Sequence, residues 1–343
     1  MKKEERNKKK RRKIFLSLLL ILFVGVILTA STYTWFTANR QVTVENLDVN
    51  VSTSAGLQIS VDAMDWKTVV TKEDIIGAID TYKTAKNQVP AGQVNPVSTA
   101  GTVDNGTGFI NMYKGSLADE DSDGAVELTA TKSTETNTTD SGDFIAFDLF
   151  FNVSEDQTLY LTSASQVTGG NADGAGTDSK IQYASRVAML PQGHVTDVAQ
   201  SATIQAAKAT DTTGLVIWEP NADIHTATGV TNAALYGKTV TAAAGNAPVE
   251  YYGLINTINT PGVDIDSTDA GSFKKVEAPV LKTTDSTGIP EDQYLQVLSL
   301  ERGVTKVRFY MWVEGQDVDC EDYASGGDLN FNLVFSIDPQ ANA

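Results

Sequence analysis

The strictest pattern in this chain is an alternation of apolar and polar residues near its C-terminal end. Leu329, Phe331, Leu333, Phe335 and Ile337 occupy every second position without a break. Because successive side chains of a strand point to opposite faces, this spacing predicts a β-strand with one apolar face. That face must be covered by another layer, so the chain has to build a sheet with a packing partner.

Weaker versions of this alternation recur along the chain and predict further strands at 42–51, 57–61, 143–153, 159–161 and 307–313. The alternation through the first two of these is interrupted at Asn46-Leu47 and at Ser54-Ala55-Gly56, as expected for two strands joined by a turn or bulge. Since helices and strands do not alternate, the pattern favours a mainly β fold, an antiparallel β-sandwich, over a parallel doubly wound sheet.

Helix signals are sparse, and we expect one or two short helices. Thr71 followed by Asp74 resembles a helix N-cap arrangement, which predicts a segment to about Lys83 with Ile75, Ile76 and Ile79 on one side. Polar stretches at 84–140, 163–179 and 219–290 are rich in Gly, Ser, Thr, Asn, Asp and Ala, and they predict loop insertions at about 62–140 and 163–290. Tyr310 and Trp312 would lie on the second face of their sheet, and we expect an insertion to cover them.

The N-terminus has the organisation of an export signal. Residues 1–13 contain nine Lys or Arg, and residues 14–28 are apolar apart from Ser17 and Gly25. The apolar run is shorter than the roughly 20 residues of a spanning helix, and small residues follow it. We therefore predict a signal helix within a cleaved peptide, 1–34, and an exported domain, 35–343. An uncleaved anchor that includes the aromatic residues up to Phe36 is the alternative.

The exported part is strongly acidic. Removal of residues 1–34, with nine basic and two acidic side chains, changes the formal net charge from −17 to −24. Such a chain repels nucleic acid and anionic lipid, so we expect no nucleic-acid partner and membrane contact only through the N-terminal segment.

Few residues in the sequence suit catalysis. Cys320 is the single cysteine, and His194 and His225 are isolated in polar segments with neither zinc-ligand spacing nor an adjacent nucleophile motif. An intrachain disulfide is excluded, and we predict that the protein is not an enzyme and requires no cofactor.

The two ends of the chain resemble the TasA/camelysin family of Gram-positive surface and biofilm-matrix proteins. The resemblance rests on the leader, on Trp35-Phe36-Thr37 before an amphipathic first strand, and on Asn330-Phe331-Asn332-Leu333 in the last strand. It covers about 14–61 and 304–337. It implies a jelly-roll-like sandwich, processing by a dedicated signal peptidase (signal peptidase W), and fibres in which an N-terminal strand completes the next subunit's sheet. Camelysins are also described as proteases, but this chain lacks His-Glu-x-x-His, so that activity is not carried over.

A free first strand would suit such an assembly, because docking it on another chain's sheet edge pairs its backbone and buries its apolar face. The predicted self-assembly strand comprises Trp35, Phe36, Val42, Val44, Leu47, Val49 and Val51. The simpler alternative is that this segment pairs within its own sheet as an ordinary first strand.

Two acidic groups are candidate calcium sites. Asp119, Asp121 and Asp123, with Gly124, match the front half of a calcium loop, but position twelve is Ala130 and Glu127 is the nearest further ligand. A solvated turn is the alternative. The second, weaker group lies between two predicted strands and comprises Glu314, Asp317, Asp319, Glu321 and Asp322.

These observations predict a secreted structural protein of the cell surface or extracellular matrix, with a fibre subunit as the specific hypothesis. Its expected partners are further copies of itself or other matrix proteins, and the signal peptidase during export. The alternative is a surface adhesin or a carbohydrate- or ligand-binding module, in which the insertions serve as binding loops on a rigid scaffold.

Overall fold

The computed structural model describes residues 42–52, 56–117, 128–135, 142–170, 180–235, 252–259, 271–283, 289, 294–320 and 327–339. The predicted signal helix, Trp35 and Phe36 lie outside these residues. Within them the chain is mainly β, with several sheets and a few short helices. None of the described helices is both long enough and apolar enough to cross a membrane.

Nineteen strands occur in the described residues. They are β1 (Val42–Val51), β2 (Leu57–Ser60), β3 (Val69–Thr71), β4 (Gln93–Val94), β5 (Val103–Asp104), β6 (Phe109–Ile110), β7 (Met112–Leu117), β8 (Leu128–Ser133), β9 (Ile145–Val153), β10 (Gln157–Leu161), β11 (Gln166–Gly170), β12 (Ser185–Val195), β13 (Val216–Glu219), β14 (Tyr252–Leu254), β15 (Phe273–Lys275), β16 (Val280–Lys282), β17 (Leu295–Leu300), β18 (Gly303–Val313) and β19 (Asp328–Ser336).

The described helices are one more than expected. They are α1 (Lys72–Gly77), α2 (Ser201–Ala206) and α3 (Ala227–Leu235), accompanied by single 3₁₀ turns at Ala78–Asp80, Ile181–Ala184 and Val198–Gln200. The predicted cap of α1 is confirmed, because Thr71 and Asp74 form a capping box. The side-chain assignment differs: Ile75 is buried, whereas Ile76 and Ile79 are exposed.

Two large sheets dominate the fold. In the first sheet the order is β17-β10-β19-β1-β3, with β11 also paired to β19 and β4 to β1. In the second sheet the order is β16-β13-β12-β18-β9-β2. The expectation of antiparallel pairing fails at two places, because β1 pairs with β19 and β13 with β16 in parallel.

One hydrophobic core is shared by the two large sheets. The alternating apolar residues of β19 are buried and meet those of β9 and β18. The ring of Phe335 lies edge-on to Phe151 and Phe309, with centroids 5.5 and 5.9 Å away. The alternation in the sequence therefore identified one face of each of these three strands correctly.

The opposite face of the second sheet is also covered. Tyr310 and Trp312 are buried in a second apolar cluster together with Val97, Ile110 and Leu215. The Tyr310 hydroxyl accepts a hydrogen bond from the backbone N–H of Ile110 across 3.0 Å. The predicted covering of Tyr310 and Trp312 is thus confirmed, and part of it comes from the polar stretch 62–140.

A central strand of the second sheet, β12, lies inside the predicted insertion 163–290. Six consecutive residues from Ser185 to Leu190 are buried, and the four from Val187 to Leu190 are all apolar, so polar and apolar positions do not alternate there. The predicted insertion is therefore not a loop throughout.

Candidate functional site

The first strand, β1, lies in the interior of the first sheet. It pairs in parallel with β19 on one side, and with β3 and β4 on the other. All five predicted apolar contact residues of β1 are buried, namely Val42, Val44, Leu47, Val49 and Val51. In the single chain β1 thus completes its own sheet, as the simpler alternative describes, and donation to a second copy stays a prediction.

A bulge in β1 lets both halves of the strand face the core. The register against β19 shifts between Val44 and Asn46, which leaves Glu45 as the extra residue. In a regular strand the three-residue step from Val44 to Leu47 would place these two side chains on opposite faces. The extra residue at Glu45 takes up the odd step, so that both halves of β1 face the core. The interruption at Asn46-Leu47 in the sequence marked this place.

Side-chain amides join β1 to β19 on the outer face of the sheet. Asn46 Nδ2 donates to Asn330 Oδ1 across 2.7 Å, and Asn50 Nδ2 donates to Asn332 Oδ1 across 3.2 Å. On the other side, Lys72 Nζ donates to the backbone oxygen of Val44 across 2.9 Å. The position that β1 fills between its neighbouring strands, which we call the slot, is therefore apolar on the core side. It offers hydrogen-bond partners on the side of β19 and on the side of β3.

The first candidate calcium site, with Asp119, Asp121, Asp123 and Glu127, lies outside the described residues. The second group is described only in part, since Glu321 and Asp322 also lie outside.

Of the described members of the second group, Glu314 and Asp319 are buried and Asp317 is partly buried, and each is paired with another side chain. Glu314 accepts hydrogen bonds from Trp312 Nε1 and from the backbone N–H of Gln316, each 3.0 Å long. Asp317 pairs with Arg186, whose guanidinium also lies 2.8 Å from Glu219 Oε1. Because the carboxylates of Asp317 and Glu219 share one buried guanidinium, their mutual repulsion is offset within the protein.

Asp319 is paired with His225. Its Oδ2 lies 2.8 Å from His225 Nδ1, and its Oδ1 accepts hydrogen bonds from the backbone N–H and the hydroxyl of Thr226. Burial alone would lower the pKa of His225, but the hydrogen bond to Asp319 and the nearby carboxylates raise it above its ordinary value. Arg186 is thus the cationic partner of Asp317, and His225 is the hydrogen-bond partner of Asp319.

Within the described ranges, no three His, Cys, Asp or Glu side chains come together in a way that could hold a metal ion. The calcium hypothesis therefore rests on the sequence pattern alone.

A second buried charge cluster, which the sequence did not reveal, lies on the covered face of the second sheet. On β9, Asp148 Oδ1 lies 2.7 Å from Arg308 Nη1, and Asp148 Oδ2 lies 3.1 Å from Lys306 Nζ. Arg308 also pairs with Glu135. Burial would raise the pKa of Asp148, but Arg308 and Lys306 hold it below the usual range.

The ammonium group of Lys306 ties several segments to the sheet. It donates to the Tyr82 hydroxyl across 3.0 Å and to the backbone oxygens of Gln205 and Ala207 across 2.9 Å each. Burial lowers the pKa of Lys306, with Asp148 opposing the shift. The cluster contains two carboxyl groups, of Glu135 and Asp148, and two basic groups, of Lys306 and Arg308. Its hydrogen bonds hold the covering segments on the second sheet.

A cleft of about 670 Å³ lies beside edge strand β17. Its lining includes residues 296–299, 214–216 and 277–279, together with Lys274 and Thr102. The cleft mixes apolar and polar side chains and could receive a small ligand.

Comparisons of the chain with protein-family models, with curated proteins and with solved structures find no match.

Proposed function

We propose that this chain is a secreted structural protein of the cell surface or extracellular matrix, and that it forms fibres by donating β1 to the next copy. The observation that carries the proposal is the position of β1, an N-terminal strand that fills an interior slot between β19 and the β3–β4 side.

Burial of β1 favours occupation of the slot by whichever copy supplies the strand. Five aliphatic side chains of β1 are buried, which corresponds to a stabilisation on the order of 10 kcal/mol before entropy losses are subtracted. Moreover, a second copy of β1 would make the same contacts in that slot as the chain's own strand. Exchange therefore needs no new complementary surface. The protein concentration decides between the closed monomer, in which β1 fills the slot of its own chain, and the polymer.

In the proposal the leader delays strand exchange until the chain has been exported. Residues 1–34 precede the strand directly, so in the proposal they hold it at the membrane until cleavage, and assembly begins only outside the cell. The two large sheets are taken as the layers of a jelly-roll-like β-sandwich, which their shared core supports.

The test locks β1 into its own chain. Asn46 and Asn330 are register partners with hydrogen-bonded side chains, and neighbouring strands lie about 4.8 Å apart, which suits a disulfide. In the variant Asn46→Cys/Asn330→Cys, starting at Trp35, we expect oxidised monomer to stay monomeric and reduced monomer to form filaments at rising concentration in electron microscopy.

Wild-type protein under the same two redox conditions is the control, because its buried Cys320 forms no disulfide. Filaments formed equally well by the locked monomer would contradict strand donation.

The cleft beside β17 favours a second candidate function, a ligand-binding surface module. Part of its lining comes from residues 277–279, inside the predicted insertion 163–290. Saturable binding of a glycan or other small ligand, without filaments at any concentration, would support this second function over the first.

A further inference from the structure

Exposed aliphatic side chains are concentrated in one short stretch of the described chain. Of its five exposed large hydrophobic residues, four lie between residues 64 and 79: Met64 is 48% exposed, Val69 45%, Ile76 37% and Ile79 40%. The fifth, Val198, is 48% exposed and distant in sequence. Four such residues on one short folded segment make that segment a candidate contact surface.

These four residues belong to one internally bonded unit, residues 62–81, which we call the 62–81 unit. The Thr81 hydroxyl donates to Asp62 Oδ2 across 2.6 Å, so the end of the unit is tied to its beginning. Lys67 Nζ lies 2.7 Å from Asp74 Oδ1 and joins the turn to α1. The apolar side chains are therefore presented on a fixed structure.

The 62–81 unit lies where β1 leaves its slot. The backbone N–H of Val51 donates to the oxygen of Thr68 across 2.8 Å, and Asn50 is the register partner of Val69. The unit is also joined to β2, because the backbone N–H of Ile59 donates to the backbone oxygen of Lys67 across 2.9 Å.

The connection between β1 and β2 is short. From Ser52 to Gly56 the chain advances by four Cα–Cα steps, which span at most about 15 Å. Suppose that β1 of one copy, the donor, occupies the slot of a second copy, the acceptor. The remainder of the donor chain, from Gly56 onward, must then begin within about 15 Å of the end of that slot, and therefore beside the acceptor's 62–81 unit.

We propose that Met64, Val69, Ile76 and Ile79 form a second contact between successive copies, covered by the body of the chain that donates its strand. The inference rests on the proposed strand donation and deepens it, since it names the surface that stabilises the exchanged state over the closed monomer. The closed monomer leaves these side chains in water, whereas the polymer buries them, so they favour assembly without stabilising the monomer.

The test compares substitutions at the exposed residues of the 62–81 unit with a substitution at an exposed residue elsewhere. In Val69→Thr/Ile79→Gln the patch is made polar, and Val198→Thr is the matched control at an equally exposed aliphatic residue. Sedimentation gives the soluble protein concentration that remains at equilibrium with filaments. We expect this concentration to rise at least tenfold for the patch variant and to stay within twofold of wild type for the control.

Thermal unfolding of the monomers checks that the fold is intact, and Ile76→Gln provides a second patch variant if the first is destabilised. An unchanged equilibrium concentration for folded patch variants, with wild-type filaments present, would overturn the second contact and leave strand donation standing. Absence of wild-type filaments would overturn both proposals.

Discussion

Arg308 Nη1 lies 2.7 Å from Asp148 Oδ1 on the neighbouring strand, and both side chains are buried under segments that precede β9 and follow β12. Arg308 is also the cation that faces Glu135. The pairing explains how charged residues are accommodated on the covered face of the second sheet, because each buried charge lies beside a charge of opposite sign.

Replacement of Arg308 should therefore be costly. Arg308→Met leaves Glu135 without a cation and Asp148 with Lys306 alone, so we expect the free energy of unfolding to fall by about 3–5 kcal/mol in urea titrations. Lys114→Met is the matched control, because Lys114 pairs with Asp143 at 3.3 Å but is 39% exposed, and we expect a loss below about 1 kcal/mol. Equal small losses for both variants would show that the buried cluster contributes little.

The contact between the two large sheets depends on Phe335. Its ring packs edge-on against Phe151 and Phe309, so Phe335→Ala should leave a cavity and lower the free energy of unfolding by about 3–5 kcal/mol. Val198→Ala, at an exposed position, should change it by less than about 0.5 kcal/mol. A loss of similar size in both variants would contradict the shared core.

Acid should weaken the turn around Asp62. Burial alone would raise the pKa of Asp62, but hydrogen bonds from Thr81, Asp65, Met64 and Ser60 lower it below its ordinary value. A carboxyl group whose pKa is depressed in the folded state stabilises the protein above its unfolded pKa of about 3.9, and this contribution is lost as the pH falls through the folded value.

Asp62→Asn should therefore lower the urea midpoint at pH 7, and its difference from wild type should shrink as the pH falls below about 4. Asp65→Asn, at a side chain that is 74% exposed, should leave the midpoint unchanged at both pH values. A constant difference between Asp62→Asn and wild type from pH 7 to pH 2 would contradict the lowered pKa.

The sequence predicted strands where one face is apolar and the other polar. β1, β9, β18 and β19 carry that alternation, and even the bulge at Glu45 is visible as a three-residue step between apolar positions. β12 was missed because its buried run from Val187 to Leu190 is apolar on both faces of the strand, which erases the alternation. Parallel pairing of the first and last strands leaves no local signal, since the partners are more than 280 residues apart.

The buried charges could not be recognised for a related reason. Asp148, Lys306 and Arg308 occupy positions that alternate with apolar residues, and such positions ordinarily face water. Here segments from elsewhere in the chain cover them, and Glu135 lies 173 residues from its partner Arg308. Likewise, no spacing rule joins His225 to Asp319, although the acidic group that contains Asp319 is visible in the sequence.

The central claim, that β1 passes from one chain to the next, is tested most directly by mixing two variants that each carry one introduced cysteine in addition to the buried Cys320. Asn46→Cys places a thiol on the donated strand and Asn330→Cys places one on the accepting strand, at positions that are partners in register. After assembly of the mixture and mild oxidation, we predict a disulfide-linked species of twice the chain mass in non-reducing electrophoresis, absent when either variant is assembled alone. Filaments of the mixture without any linked pair would contradict the claim.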